Sequence, residues 1–144
     1  DLIIKDTVRN RIKIIDIKTS TMGWNKWQKA DKNKTDQLLL YKKFYSQQHD
    51  IPMDRIEVEY FIVKRKLYEN LDFPQKRIQT FIPANGTPSI NKVNRRLEQF
   101  MDECFTDDGE YRDDHIYSKL PSKKNCRWCD FRDKPDLCDK KVEN

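Results

Sequence analysis

The sequence predicts an α/β fold: a mixed central β-sheet flanked by helices, followed by a cysteine-containing C-terminal tail. Three observations carry this expectation. Two short apolar, β-branched runs, Leu2-Ile3-Ile4 and Arg11–Ser20, lie on either side of polar residues 5–10, the pattern of an antiparallel hairpin. Residues 35–49 then repeat Leu38, Leu39, Leu40, Tyr41, Phe44 and Tyr45 at helical spacing. Residues 55–66 alternate, with Ile56, Val58, Tyr60 and Ile62 set against Glu57 and Glu59. A helix between two strands implies a right-handed crossover, which makes the later strand parallel to an earlier one.

At 144 residues the chain has the length of one domain, large enough for a modest core. Hydrophobic residues are 36% and charged residues 37%, so the core is thin and the surface highly charged. A net charge of +5 fits a polyanionic partner. No apolar run approaches the length of a membrane-spanning helix, which argues against a membrane role.

The strand Arg11–Ser20 places Asp16 and Lys18 in its apolar run. Residues two apart in a strand share a face, so carboxylate and ammonium project side by side, with Ile15 and Ile17 turned away. Ions in a hydrophobic strand are costly unless they are paired or hold a metal. Depending on register, the hairpin sets Asp1 beside Asp16. Two carboxylates would hold a hard divalent cation such as Mg²⁺ or Mn²⁺, able to polarise a phosphate oxygen and activate water. Lys18 would orient that water or neutralise developing charge.

Residues 21–34 follow the strand. Gly23 permits a turn. Trp24 and Trp27, interleaved with Lys26 and Lys29, either stack on bases while the lysines meet phosphates, or cover the core. The next helix is expected over 35–49, capped by Thr35 or Asp36. Gln37 and Tyr41 share one of its faces, four residues apart. His49 lies at its end, where it caps or is solvated. Residues 51–54 break the chain before the strand of 55–66, and Lys64, Arg65 and Lys66 close that strand as a basic cluster. Residues 67–74 form a loop. Residues 77–83 alternate as a further strand, residues 84–88 turn, and Ser89 caps a helix reaching about Cys104. That helix carries Ile90, Val93, Leu97, Phe100 and Met101 at the 3.6 period.

Asp1, then Ile14-Ile15-Asp16-Ile17-Lys18-Thr19-Ser20, then Gln37-Leu38-Leu39-Leu40-Tyr41 follow the order of a known pattern: Asp, Asp-x-Lys, Gln-x-x-x-Tyr. This resembles the PD-(D/E)xK nuclease superfamily in its RecB-like exonuclease branch. The resemblance implies a restriction-endonuclease-like core and a Mg²⁺-dependent deoxyribonuclease. Asp1 and Asp16 would bind the metal with the Ile17 carbonyl as a further ligand, and Lys18 would assist the nucleophile. Gln37 and Tyr41 would position substrate, with Ser20, Trp24 and Lys26 also expected on the substrate side. Because the chain begins on a candidate catalytic residue inside a strand, it is expected to be the C-terminal piece of a longer polypeptide. The family's upstream helix, which usually supplies a Glu or His, would then lie outside it.

The division expected is a core over 1–104 and a tail over 105–144 packed on the same domain. The tail carries Cys126-Arg127-Trp128-Cys129 and then Cys138. Cys-x-x-Cys is a metal-binding bite. The resemblance implies three cysteines of a 4Fe-4S staple; zinc is the other reading, with Cys104 or His115 completing the set. Unliganded thiols are the bland alternative. The function expected is a DNA nuclease acting on single strands or ends, in recombination, repair or replication. A helicase or recombination partner and a bacterial or phage cytoplasmic setting go with it. The alternatives are a nucleic-acid-binding module with an inactive nuclease fold and a metal-stapled interaction domain.

Overall fold

The structure is a computed structural model of the chain, and it describes residues 1–113, 121–134 and 136–138. Contacts divide the chain into two units, Asp1–Met101 and Asp102–Asn144.

The first unit is built on one four-stranded sheet in the order β1-β2-β3-β4. Strands β1 (Leu2–Asp6) and β2 (Arg11–Ser20) form the expected antiparallel hairpin. Its turn is closed locally: Asp6 Oδ1 accepts the N–H groups of Val8 at 3.0 Å and Arg9 at 2.9 Å. Asn10 takes the left-handed φ of 52° that Asn tolerates in turns. Strand β3 (Ile56–Lys64) runs parallel to β2, reached by the helical crossover, and β4 (Ile78–Phe81) returns antiparallel to β3. Strand β2 is therefore paired on both sides over its first half, Ile12 to Ile15, and with β3 alone over the half that carries Asp16 and Lys18.

One short helix and two helix starts differ from the sequence expectation. Within 21–34, where the sequence indicates only a turn at Gly23, the short helix α1 (Lys26–Ala30) forms, with Asn25 and Gln28 making a reciprocal capping box. The second helix, α2 (Lys32–His49), starts before Thr35 because Asp31 is its cap, its carboxylate accepting the Asn33 N–H at 3.1 Å. Thr35 and Asp36 lie inside that helix. A 3-10 turn (Met53–Arg55) precedes β3. Helix α3 (Thr87–Cys104) begins two residues before Ser89, the expected cap. Pro88 fits its first turn, where a missing N–H costs nothing, and Gly86 O accepts from Ser89 N and Ile90 N.

The core lies on one face of the sheet. Ile12 and Ile14 of β2 and Ile56, Val58, Tyr60 and Ile62 of β3 pack with Leu38 of α2 and with Trp24. Each large side chain buried this way contributes about 1.5–3 kcal/mol. The half-exposed Arg11–Glu57 pair on the opposite face contributes at most about 1 kcal/mol, so packing sets the register. Lys42 of α2 is also buried, and Nζ donates to Asn85 Oδ1 at 2.8 Å. Burial lowers its pKa, while Asp54 and Glu57 oppose the shift. Helix α3 buries Ile90 and Val93 and reaches α2 through Lys43–Asn94 and Arg96–Asp36 contacts.

The turn from β2 into α1 is pinned from three sides. Trp24 is buried, its ring 5.0 Å from Tyr60 and 6.3 Å from Phe81. Gln79 of β4 reads its backbone in both directions: Oε1 accepts Trp24 N–H at 2.6 Å, and Nε2 donates to Trp24 O at 3.1 Å. Gly23 turns the chain at φ +94°, a conformation that disfavours a Cβ, and a Cβ there would sit 2.9 Å from Gln79 Oε1. Gly23→Ala is expected to lower the unfolding free energy by about 1–3 kcal/mol, measured by chemical denaturation.

Candidate active site

Asp16 is 0% exposed, in the middle of the central strand. Lys18 Nζ lies 2.9 Å from its Oδ2, the same-face contact that the i, i+2 spacing dictates. Neither carboxylate oxygen accepts a hydrogen bond from a described residue. A buried carboxylate needs a partner, because moving it from water is worth several kcal/mol against folding. One ion pair to a lysine that is itself one-third exposed (33%) leaves most of its lone pairs unmatched. Tyr60, opposite Asp16 in the β3 register, does not supply the missing donor. Its hydroxyl donates instead to Lys34 O at 2.5 Å. Burial, reinforced by the charge of Asp16, pushes that hydroxyl up to about 12, so it stays a neutral donor.

Helix α2 steers Lys18. Its Nζ donates to Gln37 Oε1 at 2.9 Å, and Gln37 Nε2 donates to Tyr41 OH at 2.6 Å. Gln37 and Tyr41 meet because residues four apart share a helix face. The ammonium thus spends one of its three donor positions on Gln37, while its charge pairs with Asp16 without a hydrogen bond to it. The rest of its donor capacity sits on a side chain that is one-third exposed and held by these two contacts. Such a held cation suits stabilising charge that develops on a phosphate.

The β1–β2 ladder ends at Leu2 opposite Ile15; Asp1 is the residue just before that pair and Asp16 the residue just after it. Asp1 lines an open cleft of about 280 Å³ with Ile3, Ile14, Tyr41, Phe44, Tyr45 and Gln48. Tyr41 therefore links the cleft to the Lys18 relay. The buried, unsatisfied carboxylate of Asp16 offers hard oxygen donors, the chemistry that suits Mg²⁺ or Mn²⁺, and Asp1 is the carboxylate nearest to it along the hairpin register. Ile17, expected to add its carbonyl, points its side chain to the opposite face at 48% exposure. Among the described residues, no group of three or more His, Cys, Asp or Glu side chains is gathered to hold a metal.

The other expected site residues divide. Ser20 shares the Asp16 face, but its hydroxyl donates to Gly23 O at 2.9 Å, bracing the turn. Trp24 takes the core alternative and offers no face for substrate; an indole 8% exposed is committed to packing. Lys26 lies on exposed α1, its Nζ 4.9 Å from the Trp27 ring. In the second unit, Cys126 ends the short helix α4 (Lys123–Cys126), and among the described residues Cys104, Cys126, Cys129 and Cys138 form no disulfide. They are not gathered as a metal set among the described residues, and His115 lies outside those residues. Gln79 escaped notice in the sequence. The signal was its polar amide at an inward position of an alternating strand, in register with buried Ile62.

A family model of the PD-(D/E)XK nuclease superfamily matches residues 1–134. The chain belongs to the PD-(D/E)XK nuclease superfamily. The mixed four-stranded sheet with its helices is accordingly a restriction-endonuclease-like α/β fold, and the function is of nuclease type. Neither the curated proteins nor the solved structures give a significant match to the chain. Among the described residues, no helix is long and apolar enough to cross a membrane.

A strand that keeps a carboxylate dry should lose stability by it. Asp16→Val is expected to raise the unfolding free energy in metal-free buffer by about 1–3 kcal/mol, because it removes the desolvated charge. Lys18→Met, which strands that charge, is expected to lower it by about 1–3 kcal/mol. Urea titrations of both variants check the opposite signs.

Proposed function

We propose that this chain carries the catalytic core of a metal-dependent deoxyribonuclease of the RecB-like exonuclease branch, hydrolysing phosphodiester bonds near strand ends. The observation that carries the reading is the buried, hydrogen-bond-poor carboxylate of Asp16 beside a lysine steered by Gln37 and Tyr41. Asp16 and Asp1 would hold a divalent cation, with the Ile17 carbonyl as a further ligand. When bound, such an ion supplies Lewis acidity to a phosphate oxygen and to water.

The protein's own groups do the rest. Water attacks phosphorus and gives up a proton to solvent, while the bond to the leaving oxygen breaks in line and that oxygen takes a proton from solvent. Lys18, pointed by Gln37, holds its ammonium toward the charge growing on the phosphoryl oxygens or toward the attacking water. Tyr41 keeps the Gln37 amide oriented, so that its Oε1 accepts from Lys18. The cleft bordered by Asp1 and Tyr41 gives the strand a place beside the reacting phosphate. Lys26 is a phosphate contact in this reading. The branch assignment rests on the order Asp, Asp-x-Lys, Gln-x-x-x-Tyr and on the relay these residues make. A role in recombination, repair or replication and a helicase partner follow from the same assignment. The three tail cysteines as a 4Fe-4S or zinc site belong to it as well, through their Cys-x-x-Cys spacing.

End-labelled single- and double-stranded DNA incubated with Mg²⁺ or Mn²⁺ tests the proposal. Wild type is expected to cut. Asp16→Ala should abolish cutting, and Lys18→Ala should slow it by about 10²–10³-fold with folding intact. DNA bound but uncut under either metal would instead indicate a binding module on an inactive nuclease fold.

A further inference from the structure

The site described so far accounts for Asp16, Lys18, Gln37 and Tyr41. It does not account for Trp27. This indole is 73% exposed, although it lies three residues after a tryptophan that anchors the core. Single exposed apolar residues are ordinary on protein surfaces. Trp27 differs in how firmly its backbone is held and in what surrounds it.

The backbone is fixed at every step from the catalytic strand. Ser20 Oγ donates to Gly23 O, Gln79 clamps the backbone of Trp24, and the Trp24 ring is buried against Tyr60 and Phe81. Asn25 Oδ1 then accepts the N–H of Trp27 itself at 3.0 Å. A short helix with no buried residue of its own is thereby held as a rigid platform.

The surroundings are basic. Residues 23–34 carry Lys26, Lys29, Lys32 and Lys34 against a single acid, Asp31, which is occupied capping α2 and pairing with Lys34. The basic cluster that follows β3 is tied to the same turn. Arg65 N donates to Ser20 O, Lys66 N donates to Thr21 O, and the Arg65 guanidinium donates to Thr21 Oγ1 at 3.0 Å. The Lys64 side chain passes within 3.1 Å of where a Cβ on Gly23 would lie. Two runs distant in sequence are thus joined at the carboxyl ends of β2 and β3, just beyond Lys18.

We propose that Trp27 is a base-stacking platform for single-stranded DNA, with Lys26 and the Lys64–Arg65–Lys66 cluster meeting the adjoining phosphates. The inference rests on the reading of the Asp16–Lys18 site as one that acts on nucleic acid, and it adds a substrate preference. An indole face can stack only on a base that is not already stacked in a duplex, whereas lysines and arginines meet phosphates of either form. Strands with unpaired bases would therefore be held beside Lys18 in preference to intact duplex.

The test is fluorescence anisotropy of labelled oligothymidylate and of a labelled blunt duplex. It compares wild type, Trp27→Ala and Trp27→Phe in EDTA, with Mg²⁺-dependent cleavage measured in parallel. Trp27→Ala is expected to weaken single-strand binding about 5- to 100-fold, the loss of one stacked base. Trp27→Phe should retain most of that binding, and duplex binding should not change. Thermal unfolding of the variants should match wild type, since the ring is exposed. Equal single-strand binding by Trp27→Ala, or parallel losses for both DNAs, would overturn the proposal. So would a wild type that binds neither DNA. Asp16-dependent cleavage indifferent to Trp27 would remove the stacking platform and leave the nuclease reading standing. Trp27-dependent single-strand binding by a wild type that cuts nothing would do the reverse.

Discussion

The site depends on keeping one carboxylate dry. Asp16 occupies an inward position of a central strand, between Ile14 and the Tyr60 edge of the core, where an aliphatic side chain would pack without penalty. The surrounding arrangement compensates only in part. Lys18 offers an ion pair, but Lys18 is shared with Gln37, and both carboxylate oxygens remain without hydrogen bonds from described residues. A sequence selected for stability alone would not keep such a group. That imbalance gives the superfamily assignment its chemical content at these residues.

Rigid elements hold the pair in place. The hairpin turn fixes β1 against β2 and with it the place of Asp1, the parallel crossover brings α2 across the same face, and the i, i+4 spacing delivers Gln37 and Tyr41 to Lys18. Tyr60 contributes by restraint. Its hydroxyl is committed to the Lys34 carbonyl in α2, so it ties the helix to the sheet beside Asp16 without quenching the carboxylate. The turn after β2 is held with equal care by Gly23, Trp24 and Gln79, although it lies outside the relay. That investment is what singles out α1 as more than a connector.

Much of this was legible in the sequence. Arg11–Ser20 was readable to the residue because a β-branched run has one natural period and polar ends. The hairpin, the crossover helix and the parallel return followed from spacing, and the shared face of Asp16 and Lys18 followed from pleat geometry. Helix starts were less legible. Asp31 and Asn25 are both good caps, and nothing local says which of several capping residues in 25–36 will be used. Pro88 hid the start of α3 because proline reads equally as a turn residue and as a first-turn residue. The two tryptophans show the limit most clearly. Trp24 and Trp27 are alike in local sequence, and only the distant Tyr60, Phe81 and Gln79 decide that the first is core while the second is exposed. The tail's Cys-x-x-Cys spacing is a pattern that long-range placement must complete, and His115 falls outside the described residues.

The central claim is that Asp16 is kept for a cation. The most direct measurement is the thermal unfolding midpoint of wild type and of Asp16→Asn, each with and without Mn²⁺. The account expects Mn²⁺ to raise the wild-type midpoint in a saturable way, reaching about 2–3 kcal/mol of stabilisation at a hundred times the dissociation constant, and to leave Asp16→Asn unmoved. A wild-type midpoint indifferent to Mn²⁺, or an equal rise in both proteins, would contradict it.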